Sequence, residues 1–196
     1  MVRAIDVSAM VTDREPAGLP DGAAGLLQEY IDSHHEFLSW LGVTVEAFEQ
    51  GTTVMTLAHQ PKLTNKPPDG TSTGGPNPIQ GGVASTLVDV AGGMALRPYL
   101  ADPLRDSLAT INLNINYLRP ATGDLRAEAT VIRAGARVGV SAVLVTAVSA
   151  DGTERDIVHG TGSFRLFGAV PSPCAASRRA GAAQPRRQGP PRPAPP

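Results

Sequence analysis

Cysteine is nearly missing from this chain: Cys174 is the single one among 196 residues. An internal disulfide and a thiolate metal cage are both excluded. Aromatic residues amount to only 4%, so a core has to be built mainly from Val, Leu, Ile and Ala. The sequence contains no apolar run near the ~18 residues that a membrane helix needs. Its opening stretch also lacks the hydrophobic centre of a secretory signal. The expected location is the cytoplasm, with no membrane partner.

Excess positive charge is lacking too. The formal net charge is −1, and five arginines with no acid lie beyond Pro171, leaving the rest of the chain at −6. A body this acidic has no electrostatic footprint for nucleic acid, which is excluded as a partner. None of the four histidines stands in metal-ligand spacing, so no metal is expected.

What is present suffices for one domain: 41% of residues are apolar, and the length permits a real core. Residues 1–23 show no sustained period and are expected to form a flexible arm. The domain is expected over 24–168, with Leu26, Leu27, Tyr30, Ile31, His34, Phe37, Leu38 and Leu41 on one helical stripe that Gly42 ends. Strands follow near 43–49 and 52–59, joined at "EQG". Residues 61–78 are rich in Pro, Gly, Ser, Thr and Asn and too long for a plain connection. They are either a floppy insertion or a lid over a site. A helix is expected over 81–97. Strands near 108–118, 124–133, 140–150 and 154–167 come next, with a hairpin turn at Asp151–Gly152. In the first of these, Ala109, Ile111, Leu113, Ile115 and Tyr117 alternate with Thr110, Asn112, Asn114 and Asn116, predicting two opposite faces. From residue 169 the chain is Pro-, Ala- and Arg-rich and holds eight of its 18 prolines, so it is expected to be disordered.

The helix over 81–97 poses the functional question. It is apolar almost all round, as suits a lone helix wrapped by an antiparallel sheet. Val83, Leu87, Val90, Ala91 and Met94 are expected to face that sheet, and Ser85, Asp89, Gly92, Gly93 and Leu96 to form a small, slightly polar face beside it. Asp89 has no basic residue nearby in sequence. Gly81 and Gly82 open the helix, where backbone N–H groups lack intrahelical partners and the dipole adds partial positive charge. Such a turn can hold an oxygen that becomes negative during acyl transfer. Gly82 and Asp89 share a face, yet the helix rises about 10 Å between them. One carbonyl cannot touch both within one chain. If both act on one substrate, Asp89 comes from a second, antiparallel copy, which would also be the close neighbour that Gly92 and Gly93 call for.

Four stretches in order, "LTN", "QGGVASTLVD", "TINLNINYLRPATGD" and "VIRAGARVGV", give residues 34–167 a resemblance to the hotdog-fold acyl-CoA thioesterases of the phenylacetate-pathway (PaaI-like) type. The resemblance implies an α+β fold: a long central helix wrapped by a curved antiparallel sheet, here with an N-terminal helix. It implies dimers with helices side by side, often paired again as tetramers, and coenzyme A as part of the substrate with no separate cofactor. Carried over, Asp89 matches the catalytic carboxylate, general base or nucleophile. Gly81 and Gly82 match the glycines whose N–H groups polarise the thioester carbonyl. Thr110 matches a hydroxyl that helps place water, and Asn65 an asparagine near the thioester. Arg119, Arg133 and Arg137, with Gly135, fall at turns where the family binds the phosphates of coenzyme A. Two departures stand out. Gln80 replaces the histidine of the commonest motif, and it can hydrogen-bond but not titrate near neutrality. The loop between Asn65 and Gln80 is longer than usual, which makes Asn77 the alternative to Asn65. A non-catalytic acyl-CoA binder, a hydratase and a purely structural oligomer are the rival functions. The hydratase is disfavoured because residues 81–97 hold no histidine to pair with Asp89.

Overall fold

A computed structural model describes residues 11–12, 16–67, 75–148 and 152–168. Cys174, the tail from 169, residues 68–74 of the loop over 61–78 and most of the expected arm's first 15 residues lie outside them. Asp151 of the expected hairpin turn lies outside as well.

The element order is β1 (Val11–Thr12), α1 (Ala23–His34), α2 (Glu36–Leu41), β2 (Val43–Glu49), β3 (Thr52–Leu57), α3 (Gly81–Leu96), β4 (Leu108–Tyr117), β5 (Leu125–Ala134), β6 (Val138–Val148) and β7 (Glu154–Leu166). One sheet runs β2-β3-β5-β6-β7-β4, antiparallel throughout, while the short β1 adds in parallel to β5. The long helix α3 packs across this sheet, touching β3, β5, β6, β7 and β4. This is the expected hotdog architecture.

The N-terminal helix differs from the single stripe. It breaks at His35, whose φ of −125° and ψ of 74° leave the helical region and whose Nδ1 accepts from the Leu38 N–H to start α2. Gly42 then ends α2 with a φ of +82°, the left-handed cap that glycine adopts readily. The stripe also splits in two. Leu27, Ile31, Leu38 and Leu41 are buried, whereas Leu26, Tyr30 and Phe37 stay exposed, as does Trp40 beside the stripe.

The sheet is shaped to receive α3. A Cβ on Gly160 would stand 2.5 Å from Val88 Cγ1, and one on Gly139 would collide with Leu96. These glycines let the helix sit close, burying Leu87, Val88, Ala91, Ala95 and Leu96. Each large side chain so buried contributes about 1.5–3 kcal/mol. The facing assignment made from spacing turns out rotated. Gly92, Gly93 and Leu96 lie against the sheet, while Val83, Val90 and Met94 are half-buried at the helix's outer margin. The close neighbours of Gly92 and Gly93 are therefore the chain's own Ser141, Val143, Phe164 and Leu108, and no second helix is needed to explain them.

Strand β4 also departs from simple alternation. Thr110 pairs with Phe164 and Asn112 with Ser163, so Ile111 is an extra, bulged residue. From Asn112 onward the expected alternation holds, with Leu113 and Ile115 packed on the core. Before the bulge the parity reverses. Leu108 and Thr110 share the helix-facing side, and Ala109 and Ile111 do not belong with Leu113. Two residues thus change places because one residue drops out of the ladder.

Candidate active site

The start of α3 is held open by the segments on either side. Gln80 precedes the helix with extended dihedrals, and its N–H donates to the Leu63 carbonyl at 2.9 Å. Ile79 N–H donates to Ala121 O at 2.7 Å, and Asn65 N–H to Pro78 O at 2.9 Å. A bridge between Thr64 and Ile79 closes the base of the long loop. Asn65 therefore stays beside the helix start whatever the loop's length, exposed on the wall of a groove that also includes Gly81, Tyr117 and Arg119. Asn77 is tethered near the same base, its carbonyl 2.9 Å from His59 Nε2.

At Gly81 and Gly82 the carbonyls are loaded, whereas among the described residues their N–H groups show no partner. Gly81 O accepts from Ser85 Oγ at 3.1 Å and from Tyr117 Oη at 3.2 Å, and the two hydroxyls also bond each other. Gly82 O accepts from Thr86 Oγ1 at 2.9 Å. The N–H groups of Gly81 and Gly82 have no carbonyl within the helix to reach. A Cβ at Gly81 would stand 3.2 Å from the Tyr117 ring, and one at Gly82 would stand 2.6 Å from Gln80 Oε1. The Gln80 carboxamide thus folds over the turn and shares its exposed side with Gly82.

Asp89 sits two turns further along, half-buried, with its Oδ1 accepting from Thr110 Oγ1 at 2.6 Å. Bonds of this kind to a carboxylate are short and strong. Among the described residues no cation pairs with Asp89. The bulge at Ile111 makes this contact possible, because an unbroken alternation would send Thr110 to the asparagine face. Asp89 lines neither of the two grooves that flank the helix start.

The predicted arginines divide between the two ends of α3. Arg119 is exposed beside Gly81, its guanidinium donating to Asp156 O at 3.0 Å. Arg133, Gly135 and Arg137 lie at the β5–β6 turn, whose Gly139 packs on Leu96 at the far end of the helix. Gly135 is buried and donates to Val138 O at 3.0 Å. A single chain brings together Gln80, Gly81, Gly82, Asn65 and Arg119, and separately Asp89 and Thr110, and separately again the turn of Arg133 and Arg137. Spacing alone missed Tyr117 and Ser85, although the shared parity of Tyr117 with Ile115 placed it on the helix side. It did not place Phe37, Trp40 and Lys62 together either; they line a groove with Gln80 and Gly82 at the helix start. Among the described residues no group of His, Cys, Asp or Glu is arranged to hold a metal, and no helix is long and apolar enough to cross a membrane.

The family model of the thioesterase superfamily matches residues 79–151, from the residue before Gln80 through β6. A Halobacterium salinarum protein, named provisionally as an esterase, is 44% identical over 149 residues, which are 75% of this chain and 94% of its own. The chain belongs to the thioesterase superfamily. Solved structures agree on the fold of this superfamily member. A thioesterase family protein from Silicibacter pomeroyi superposes with a TM-score of 0.61 at 20% identity, covering 74% of this chain and 99% of its own. A Haemophilus influenzae thioesterase gives a TM-score of 0.60 at 17% identity, covering 79% and 96%. Membership supports hydrolysis of a thioester as the general reaction.

Proposed function

We propose that the protein is an acyl-CoA thioesterase whose site is shared between two antiparallel copies. The observation carrying this reading is that Asp89, fixed by Thr110, lies two turns from the open N–H groups of its own chain and outside both grooves beside them. A second α3 running the opposite way would set its Asp89 against Gly81 and Gly82. Two features of the chain invite such a copy: among the described residues the outer side of β4 has no strand paired to it, and Val83, Val90 and Met94 form a half-covered apolar stripe along α3.

In that arrangement the thioester oxygen accepts hydrogen bonds from the Gly81 and Gly82 N–H groups, helped by the helix dipole. The Gln80 carboxamide orients the carbonyl. Asp89 of the second copy takes a proton from water as the water oxygen attacks the carbonyl carbon. The C–S bond then breaks, giving a carboxylic acid and coenzyme A, whose sulfur takes up the proton. Thr110 holds one carboxylate oxygen so that the other meets the water. Reversed helices would also bring Arg133, Gly135 and Arg137 of one copy toward the Asn65 and Arg119 groove of the other, a setting for the phosphates of coenzyme A. No cofactor beyond the coenzyme A of the substrate enters, and the protein is read as cytoplasmic and dimeric, with tetramers a further pairing.

The test mixes defective copies. Asp89→Ala and Gly82→Val chains are each expected to be inactive as homo-oligomers, yet hetero-oligomers formed by co-expression regain activity, because one site then draws both intact parts. Hydrolysis confined to single chains predicts no recovery. The rival reading is a non-catalytic acyl-CoA binder. It is favoured by Gln80, which cannot titrate, and it predicts tight acyl-CoA binding with no turnover across aromatic and aliphatic thioesters.

A further inference from the structure

The hydroxyls of Ser85 and Tyr117 converge on one backbone oxygen in the first turn of α3. Ser85 Oγ donates to Gly81 O at 3.1 Å and Tyr117 Oη to the same oxygen at 3.2 Å, and the two hydroxyls also bond each other. Core packing does not account for this arrangement, since Tyr117 is 55% exposed and Ser85 only half-buried. A helical serine commonly bonds back to the carbonyl four residues earlier, so Ser85 by itself calls for no special role. A tyrosine 32 residues further along, meeting both that serine and that carbonyl, does. The last position of β4 supplies it and lays the ring across the turn: a Cβ at Gly81 would stand 3.2 Å from Tyr117 Cε1.

We infer that Ser85 and Tyr117 are a positioning pair that pins the peptide between Gly81 and Gly82 and so aims the Gly82 N–H as a fixed donor to the thioester oxygen. The inference rests on the thioesterase reading of the helix start and adds two residues that act without touching the substrate. The Gly81 carbonyl and the Gly82 N–H belong to one planar unit, so holding the oxygen fixes the direction in which the N–H points. Helix ends fray, and glycines on both sides of this peptide leave its plane free to rotate. The hydroxyls oppose that rotation from two elements at once. They carry two protons between them: one lies in the bond between the hydroxyls and the other reaches Gly81 O. Either hydroxyl can therefore replace its partner as the donor to that oxygen. Donation to the carbonyl also polarises the peptide and strengthens its N–H as a donor. Negative charge gathers on the thioester oxygen only as water attacks, so a well-aimed N–H lowers the barrier and leaves substrate binding nearly unchanged.

The experiment measures kcat and KM for hexanoyl- and phenylacetyl-CoA. Wild type, Ser85→Ala, Tyr117→Phe, the double variant Ser85→Ala/Tyr117→Phe, Ser85→Thr/Tyr117→Phe and Asp89→Ala are compared, with native mass recorded for each. Amide spectra of protein carrying isotope-labelled glycine follow Gly82 and, as a reference in the packed end of α3, Gly92; each signal is assigned by its loss on replacement with alanine. Either single variant should lower kcat no more than about threefold, because the remaining hydroxyl still reaches Gly81 O. The double variant should lower kcat about thirtyfold, beyond the product of the singles, with KM within about twofold of wild type. Ser85→Thr/Tyr117→Phe keeps one hydroxyl and should return to the level of the single variants. In the double variant the Gly82 amide should shift while the Gly92 amide stays in place. Losses that merely multiply, a raised KM at unchanged kcat, a changed native mass or an unmoved Gly82 amide overturn the inference; with Asp89→Ala inactive, they leave the thioesterase reading standing. Full activity of Asp89→Ala overturns the shared-site reading, and a shifted Gly82 amide would still support the pinning of the peptide.

Discussion

The two ends of α3 each carry a pair of glycines, and they carry them for opposite reasons. At the start, Gly81 and Gly82 keep the turn accessible. Gly82 is exposed, and the atoms nearest its missing Cβ belong to the flexible carboxamide end of Gln80. Toward the far end, Gly92 and Gly93 are buried, and a Cβ at Gly92 would stand 2.8 Å from Ser141 Oγ and 3.3 Å from both Phe164 and Val143. Beyond them Arg97 locks the helix down, with Nε donating to Pro103 O at 2.5 Å and the terminal nitrogen to Asp106 O at 3.0 Å. Burial draws the Arg97 guanidinium below its ordinary pKa, partly offset by Asp102 and Asp106. A glycine pair in a helix thus marks an accessible turn at one end and close packing at the other.

Substitutions can break this contrast, and the largest effect should come from between the ends. Asp89→Asn keeps shape and removes the carboxylate proposed as the base, so hydrolysis should fall about 10²–10⁴-fold with an unchanged melting temperature. An active Asp89→Asn enzyme would remove Asp89 from the site. Next, Thr110→Val should cost about 1.5–3 kcal/mol of the barrier, the range for a hydrogen bond to a charged group. That loss should appear in kcat, with Thr110→Ser recovering most of it. Gly92→Ala should move stability and not chemistry. Overpacking costs about 1–3 kcal/mol, reduced by the better helix propensity of alanine, about 1 kcal/mol. A lowered melting temperature with full turnover by the folded fraction is expected. The smallest change is Gly82→Ala, which displaces only the Gln80 carboxamide. It should leave the melting temperature within about 2 °C, a shift corresponding to about 0.5–1 kcal/mol, while lowering kcat/KM. Equal responses of Gly82→Ala and Gly92→Ala in both assays would erase the distinction between the ends.

Much of this architecture was legible in the residues. The long apolar helix, its glycine start, the alternating strands and the turn residues all carry strong periodic or conformational signals, and their order pointed to the fold. What counting could not find were places where one residue changes the phase. A bulge at Ile111 has no mark of its own in a Thr-Ile-Asn run, yet it decides whether Thr110 faces the asparagines or Asp89. The break at His35 is similar. An apolar stripe runs through it, and only the imidazole's bond to the Leu38 N–H shows two helices in place of one. The facing of Gly92 and Gly93 was missed for another reason. Small residues signal that something approaches closely, but not whether it is a second molecule or the chain's own Phe164. The proposed pairing of Asp89 with another copy's helix start is argued from distance along the helix axis, which sequence alone supplies.

The bridge between Thr64 and Ile79 has a consequence for how such a protein could diversify. Because the two strands of chain are stitched together at the neck, segments inserted beyond it transmit no strain to the turn at Gln80. New lengths and compositions could be tried there over generations without disturbing the machinery below, much as interchangeable tools fit one socket.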